Sequence, residues 1–110
     1  MRYQHQELAA GRWERLTFFE QMANIGSEVE RSLNWRARQQ PSLAQQAFER
    51  ALELLDLTLA SAGTPARLRE LARVREAMAD YFAGHNYFAS SDASWRRYFS
   101  PFTNVVRRDR

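Results

Sequence analysis

AFERALELLDLTL, residues 47–59, decides how this chain is read. Advancing about 100° per residue from Leu52, the side chains of Phe48, Leu55, Asp56 and Leu59 fall within about 60° of it and make one mainly apolar face. Leu54, Leu57, Ala47 and the earlier Leu43 fall on the opposite side and make a second. A surface helix needs one apolar stripe; a helix apolar on two sides must be covered on two sides. The stretch therefore reads as a central helix, packed within its own subunit on one face and against something else on the other.

Upstream, Thr17-Phe18-Phe19-Glu20 is a capping box that starts a helix. Phe18, Met22, Ile25, Val29 and Leu33 recur along it as one apolar stripe. Gly26 lies on that stripe, where glycine costs roughly 1 kcal/mol against alanine, and a close helix–helix approach would explain it. The helix fades near Gln39 and stops at Pro41. Ser42 with Gln45 reads as a second capping box opening the central helix, with Gly63 as the glycine after its last turn. Thr64-Pro65 opens a third helix running through Leu68, Leu71, Val74, Met78, Tyr81 and Phe82 to Gly84. After the aromatic turn His85-Asn86-Tyr87-Phe88, Ser91 or Asp92 caps a last helix, along which Trp95, Tyr98, Phe99 and Phe102 pack. Pro101 must kink or break it. Residues 1–16 form a polar lead-in, with Tyr3, Trp13 and Leu16 packing, and 104–110 a basic tail. The expectation is one all-α domain, an antiparallel four-helix bundle with a short, kinked last helix.

A chain of 110 residues without cysteine excludes disulfides and thiol chemistry. No apolar run approaches the roughly 20 residues of a membrane span, and the N-terminal residues carry no signal-peptide core, so a cytoplasmic location without membrane contact is expected. All 16 basic residues are arginine; the net charge is +3 and the pI near 9.9, which permits a nucleic-acid partner without requiring one.

No catalytic, cofactor or metal site can be assembled. His5 stands alone, Glu-x-x-His is absent, and there is no phosphate loop or nucleophile with its base. Only a pocket with converging polar groups would revive an enzyme or a small-molecule substrate. Association is better supplied. Asn24, Glu28, Arg31 and Trp35 form a polar stripe anchored by tryptophan, the composition of an interface hot spot. With Leu43, Ala47, Leu54 and Leu57 of the central helix they are the expected contacts of a homo-oligomer. Arg75 falls near the core centre of its helix and needs a buried partner, Asp56 or Glu28. Arginines meet aromatics around Arg36 and Arg38 and again around Arg96 and Arg97; with Arg107 and Arg108 these are candidate contacts to RNA or DNA.

The segments FEQMANIGSEVERSLNW (19–35) and AFERALELLDLTL, with LREL, DYF, GHNYF and W-x-x-YF downstream, resemble a group of conserved hypothetical cytosolic bacterial proteins. The group consists of four-helix bundles that assemble as five-membered rings. More distantly it is similar to the 23S rRNA intervening-sequence proteins and to the accessory variability determinant of diversity-generating retroelements, a basic pentameric ring that binds nucleic acid and a reverse transcriptase. The resemblance implies the bundle and a pentamer. Five copies of +3 would carry +15.

Overall fold

The computed structural model describes residues 11–108, with side chains for 11–106. The lead-in residues Tyr3 and His5 and the side chains of Arg107 and Arg108 lie outside this description. Among the described residues are four α-helices and no strand: α1 (Phe18–Ala37), α2 (Pro41–Ala60), α3 (Pro65–Ala83) and α4 (Asp92–Arg108), preceded by a 3-10 turn at Trp13–Arg15. None of these helices is long and apolar enough to cross a membrane.

Helix starts follow local chemistry. Thr17 Oγ1 accepts the Glu20 amide while the Glu20 carboxylate accepts the Thr17 amide, completing the capping box. Thr64 Oγ1 accepts the Arg67 amide, with Pro65 at the first helical position. Ser91 and Ser94 cap each other at the start of α4. The cap expected at Ser42 does not form. Helix α2 begins one residue earlier, at Pro41, whose fixed φ suits the first turn and whose missing N–H has no helical partner to lose. The helix ends at Ala60, so Gly63 lies beyond its cap, in the connection to α3. Helix α4 continues past Pro101 without a break.

Helix α1 packs on both α2 and α4, and α2 also packs on α3. The reason lies in the two faces of α2. Its small-residue side, Ala44, Ala47, Ala51 and Thr58, is buried against α1 and the 3-10 turn. There Ser32 Oγ donates to the Ala44 carbonyl at 2.8 Å, and Trp13 Nε1 to Thr58 Oγ1 at 2.9 Å. A side chain as short as serine reaches a neighbouring backbone only because the alanines let the two helices approach closely. The other side carries Phe48, stacked on Phe82 of α3 at 5.0 Å between ring centroids. Both apolar faces are thus covered by this same chain. That corrects the expectation that the second face is an assembly surface: Ala47 is fully buried and Leu54 is 3% exposed, both in the subunit core. Leu57 is half-buried beside it, and only Leu43, 36% exposed, remains outside.

Gly26 marks the other tight seam. A Cβ built on it would lie 2.8 Å from Phe99 Cβ, so α4 crosses α1 where α1 has no side chain. Leu68, expected in the core stripe of α3, is exposed; Leu71, Val74 and Met78 carry that packing.

Candidate interaction surfaces

On the outer face of α1, Asn24 and Arg31 are exposed and Trp35 is half-buried beneath Arg38, whose guanidinium carbon lies 5.6 Å from the tryptophan ring. Glu28 does not share this face. It is buried in the α1–α2 seam, where Oε1 accepts from Arg31 Nη1 and Oε2 from Arg50 Nε, each at 3.0 Å. A carboxylate withdrawn from water requires such pairing. Spacing along α1 suggested the exposed stripe, but the approach of α2 takes Glu28 out of it.

Arg75 pairs with Asp56, Nε to Oδ1 at 2.6 Å and Nη2 to Oδ2 at 3.4 Å, and the hydrogen bond holds the guanidinium pKa above its ordinary value. The pair is not buried: both side chains are 42% exposed, because the arginine stem carries the charge from the core edge outward. Ion pairs in water contribute little. Replacing Arg75 or Asp56 with alanine is therefore expected to change stability by less than about 1 kcal/mol, read as a small shift of the urea midpoint at unchanged slope.

Four of the six candidate nucleic-acid arginines have described side chains, and two of those are engaged within the subunit. Arg36 lies over the rings of Tyr81 (5.1 Å) and Phe82 (5.3 Å), which joins the end of α1 to the end of α3. Arg96 is held by Glu30 at 2.8 Å and reaches Asn34 at 3.5 Å. Arg38 and Arg97 are exposed. Arg107 follows Arg96 by eleven positions, about 16 Å along α4.

Two features come from the structure alone. One is the loop between α3 and α4. The Asp80 carboxylate accepts both the Tyr87 amide (2.8 Å) and the Phe88 amide (3.0 Å), while Asn86 bonds the amide and carbonyl of Ser90 through its side chain. Asn86 and Ala89 adopt left-handed φ values of 57° and 53°, unusual for alanine, so these bonds fix the loop in a conformation its residues do not favour. The fixed loop leaves Tyr87 84% exposed, its ring edge-on to His85 at 5.7 Å, and Phe88 51% exposed. Arg36 approaches the same end, because Tyr81 contacts both Arg36 and, through its hydroxyl, Asp92 at the start of α4. Burial, then this hydrogen bond, raises the Tyr81 pKa, and the same two causes raise that of Tyr98, which donates to Glu70.

The other feature is a cleft of about 430 Å³ between α1 and α4. Val29, Leu33, Trp95 and Phe99 supply its apolar lining, and Ser27, Ser100 and Asn104 supply polar groups. Trp95 Nε1 is buried with no hydrogen-bond partner among the described residues. The charged groups lining the cleft, Glu30 and Arg96, pair with each other. Among the described residues no group of three or more acidic or histidine side chains is placed to hold a metal ion. No family model, curated protein or solved structure matches this chain.

Proposed function

We propose that the protein is a non-enzymatic, homo-oligomeric helical scaffold acting in the cytoplasm. In this reading the four helices form an antiparallel bundle, α4 kinks at Pro101, and copies assemble as a ring of five. The ring number rests on the resemblance of residues 19–35 and 47–59 to the ring-forming group. The observation that carries the rest is the α3–α4 loop. Isolated surface hydrophobics need no explanation, but two adjacent aromatics held outward on a hydrogen-bonded loop do. Exposed Leu43 and half-buried Trp35 add apolar surface near the helix ends. Light scattering on the full chain tests the reading: a mass near five times 12.9 kDa is expected, and 12.9 kDa at every concentration would end it.

A second reading, an RNA- or DNA-binding ring, draws on the arginines stacked on aromatic rings at the end of α1, Arg36 over Tyr81 and Phe82 and Arg38 over Trp35, since arginine binds phosphate while aromatic rings stack on bases. Its affinity for a single-stranded oligonucleotide must fall steeply between about 50 and 200 mM salt. A salt-independent affinity, or none at low salt, removes it.

A further inference from the structure

We infer that the outer face of α1 holds a binding site for a nucleotide unit, phosphate and base together, built on Trp35 and the arginines on either side of it. The inference goes beyond the scaffold reading and uses none of the loop residues that carry it. Where the nucleotide belongs to a strand, it rests on the RNA- or DNA-binding reading and assigns its contact.

The site is a pocket of about 320 Å³ lined by Ser27, Glu30, Arg31, Asn34, Trp35 and Arg38. These positions recur three or four apart, so one face of a single helix brings them together. All of them reach solvent: Ser27, Arg31, Asn34 and Arg38 are exposed, and Glu30 and Trp35 are half-buried.

Charge favours an anion. Arg31 shares the Glu28 carboxylate with Arg50, so two guanidiniums meet one acid. Arg38 has no ion pair with a described acid. Glu30 is the acid in the lining, and Arg96 pairs with it at 2.8 Å. Positive charge is therefore left over on this face. Arginine, planar and forked, takes a phosphate through two parallel hydrogen bonds. Asn34 adds a donor: its Oδ1 accepts from Arg96 at 3.5 Å, and its amide N–H groups have no partner among the described residues.

The ring favours a base. The Arg38 guanidinium carbon lies 5.6 Å from the centre of the Trp35 ring, so the indole already holds a flat group on its outer side. A base is also flat and stacks on tryptophan whatever its identity. Its arrival frees Arg38 to turn onto the phosphate beside Arg31. A simple oxyanion would leave the indole unused, and an uncharged ring would leave the arginines unpaired; a nucleotide uses both. The volume lies at the lower end of ligand pockets, which suits a single unit.

Equilibrium dialysis of the full chain tests this with adenosine monophosphate and, separately, a short single-stranded thymidine oligonucleotide. Arg38→Gln and Trp35→Ala are each expected to weaken binding about 10-fold or more, and Trp35→Phe to keep most of it. Circular dichroism checks that each variant folds; Arg38→Gln, on an exposed side chain, decides the matter if Trp35→Ala does not. Monophosphate binding with this dependence supports the site with a free nucleotide as its ligand, and if the strand does not bind, the RNA- or DNA-binding reading falls while the site stands. Strand binding with the same dependence supports it with nucleic acid as the source. Neither probe binding at up to about millimolar concentration overturns the site. So does inorganic phosphate that competes as well as the monophosphate, since the ring then contributes nothing. A strand whose affinity neither variant changes overturns the site and leaves the RNA- or DNA-binding reading in place.

Discussion

Leu54→Asp is expected to unfold the subunit rather than release folded monomers from an assembly. Leu54 is 3% exposed, in the core that α1 and α2 share. Truncating a buried leucine to alanine already costs about 2–5 kcal/mol, and a carboxylate placed there must shed its hydration or take up a proton. The combined loss, about 4 kcal/mol or more, is comparable with the whole stability of a small domain. Leu43→Asp is the matched control on the same helix. At 36% exposure it is expected to leave the urea transition within about 0.5 kcal/mol of the native chain. Far-UV circular dichroism in urea reads both. A folded, monomeric Leu54→Asp chain would mean that this face of α2 meets another copy after all, and that the packing of α1 across it is wrong.

The contrast between these leucines shows where sequence reading stops. A helical wheel correctly finds that α2 is apolar on two sides, because periodicity is a property of one helix. It cannot identify what covers each side. The alanines at 44, 47 and 51 held that information: small residues in register permit a backbone-close neighbour, and Ser32 reaching the Ala44 carbonyl is the result. The same limit explains Glu28. Its spacing from Asn24 and Arg31 placed it on an exposed stripe, whereas its partner Arg50 lies 22 residues away on another helix.

Signals confined to three or four residues read well. The Thr17–Glu20 box and Thr64-Pro65 start helices because the atoms that satisfy the first amides are a turn away. Ser42 was misread because Pro41 begins the helix without a side-chain cap. The Arg75–Asp56 pair was visible as a need for a partner, but its exposure depends on where the arginine stem ends, which a wheel does not record. The loop was least legible. Its conformation rests on Asp80 accepting amides seven and eight residues away and on alanine held at positive φ, neither of which local propensity anticipates. The sequence shows only an aromatic turn there; that the fold leaves Tyr87 and Phe88 outside is a finding of the structure.

Gly26→Leu is expected to pull α4 away from α1. The position was legible as an anomaly, a glycine costing about 1 kcal/mol within a helix, and the structure supplies the compensation. An added Cβ meets Phe99 at its Cβ (2.8 Å), Cγ (3.0 Å) and Cδ1 (3.1 Å). Phe99 Cβ is one bond from the backbone of α4, so no rotation of the ring removes that clash; the helices themselves must separate. Alanine recovers about 1 kcal/mol of helix propensity but meets an overpacking cost of about 1–3 kcal/mol, for a net loss near 1 kcal/mol. Leucine adds three more carbons to the same seam and is expected to lose about 3 kcal/mol or more, lowering the melting temperature by 10 °C or more on the roughly 4 °C per kcal/mol scale of a chain this size. A double-mutant cycle isolates the cause. Phe99→Ala alone costs about 3–5 kcal/mol; it keeps the Cβ but removes the ring carbons at 3.0 and 3.1 Å and leaves space into which α4 can shift, so the Gly26→Ala/Phe99→Ala chain should be more stable than the sum of its parts by about 1 kcal/mol. Strict additivity would place the two residues out of contact. The cleft would then lose the seam that sets its width, and with it the pairing of Glu30 and Arg96 that keeps it neutral.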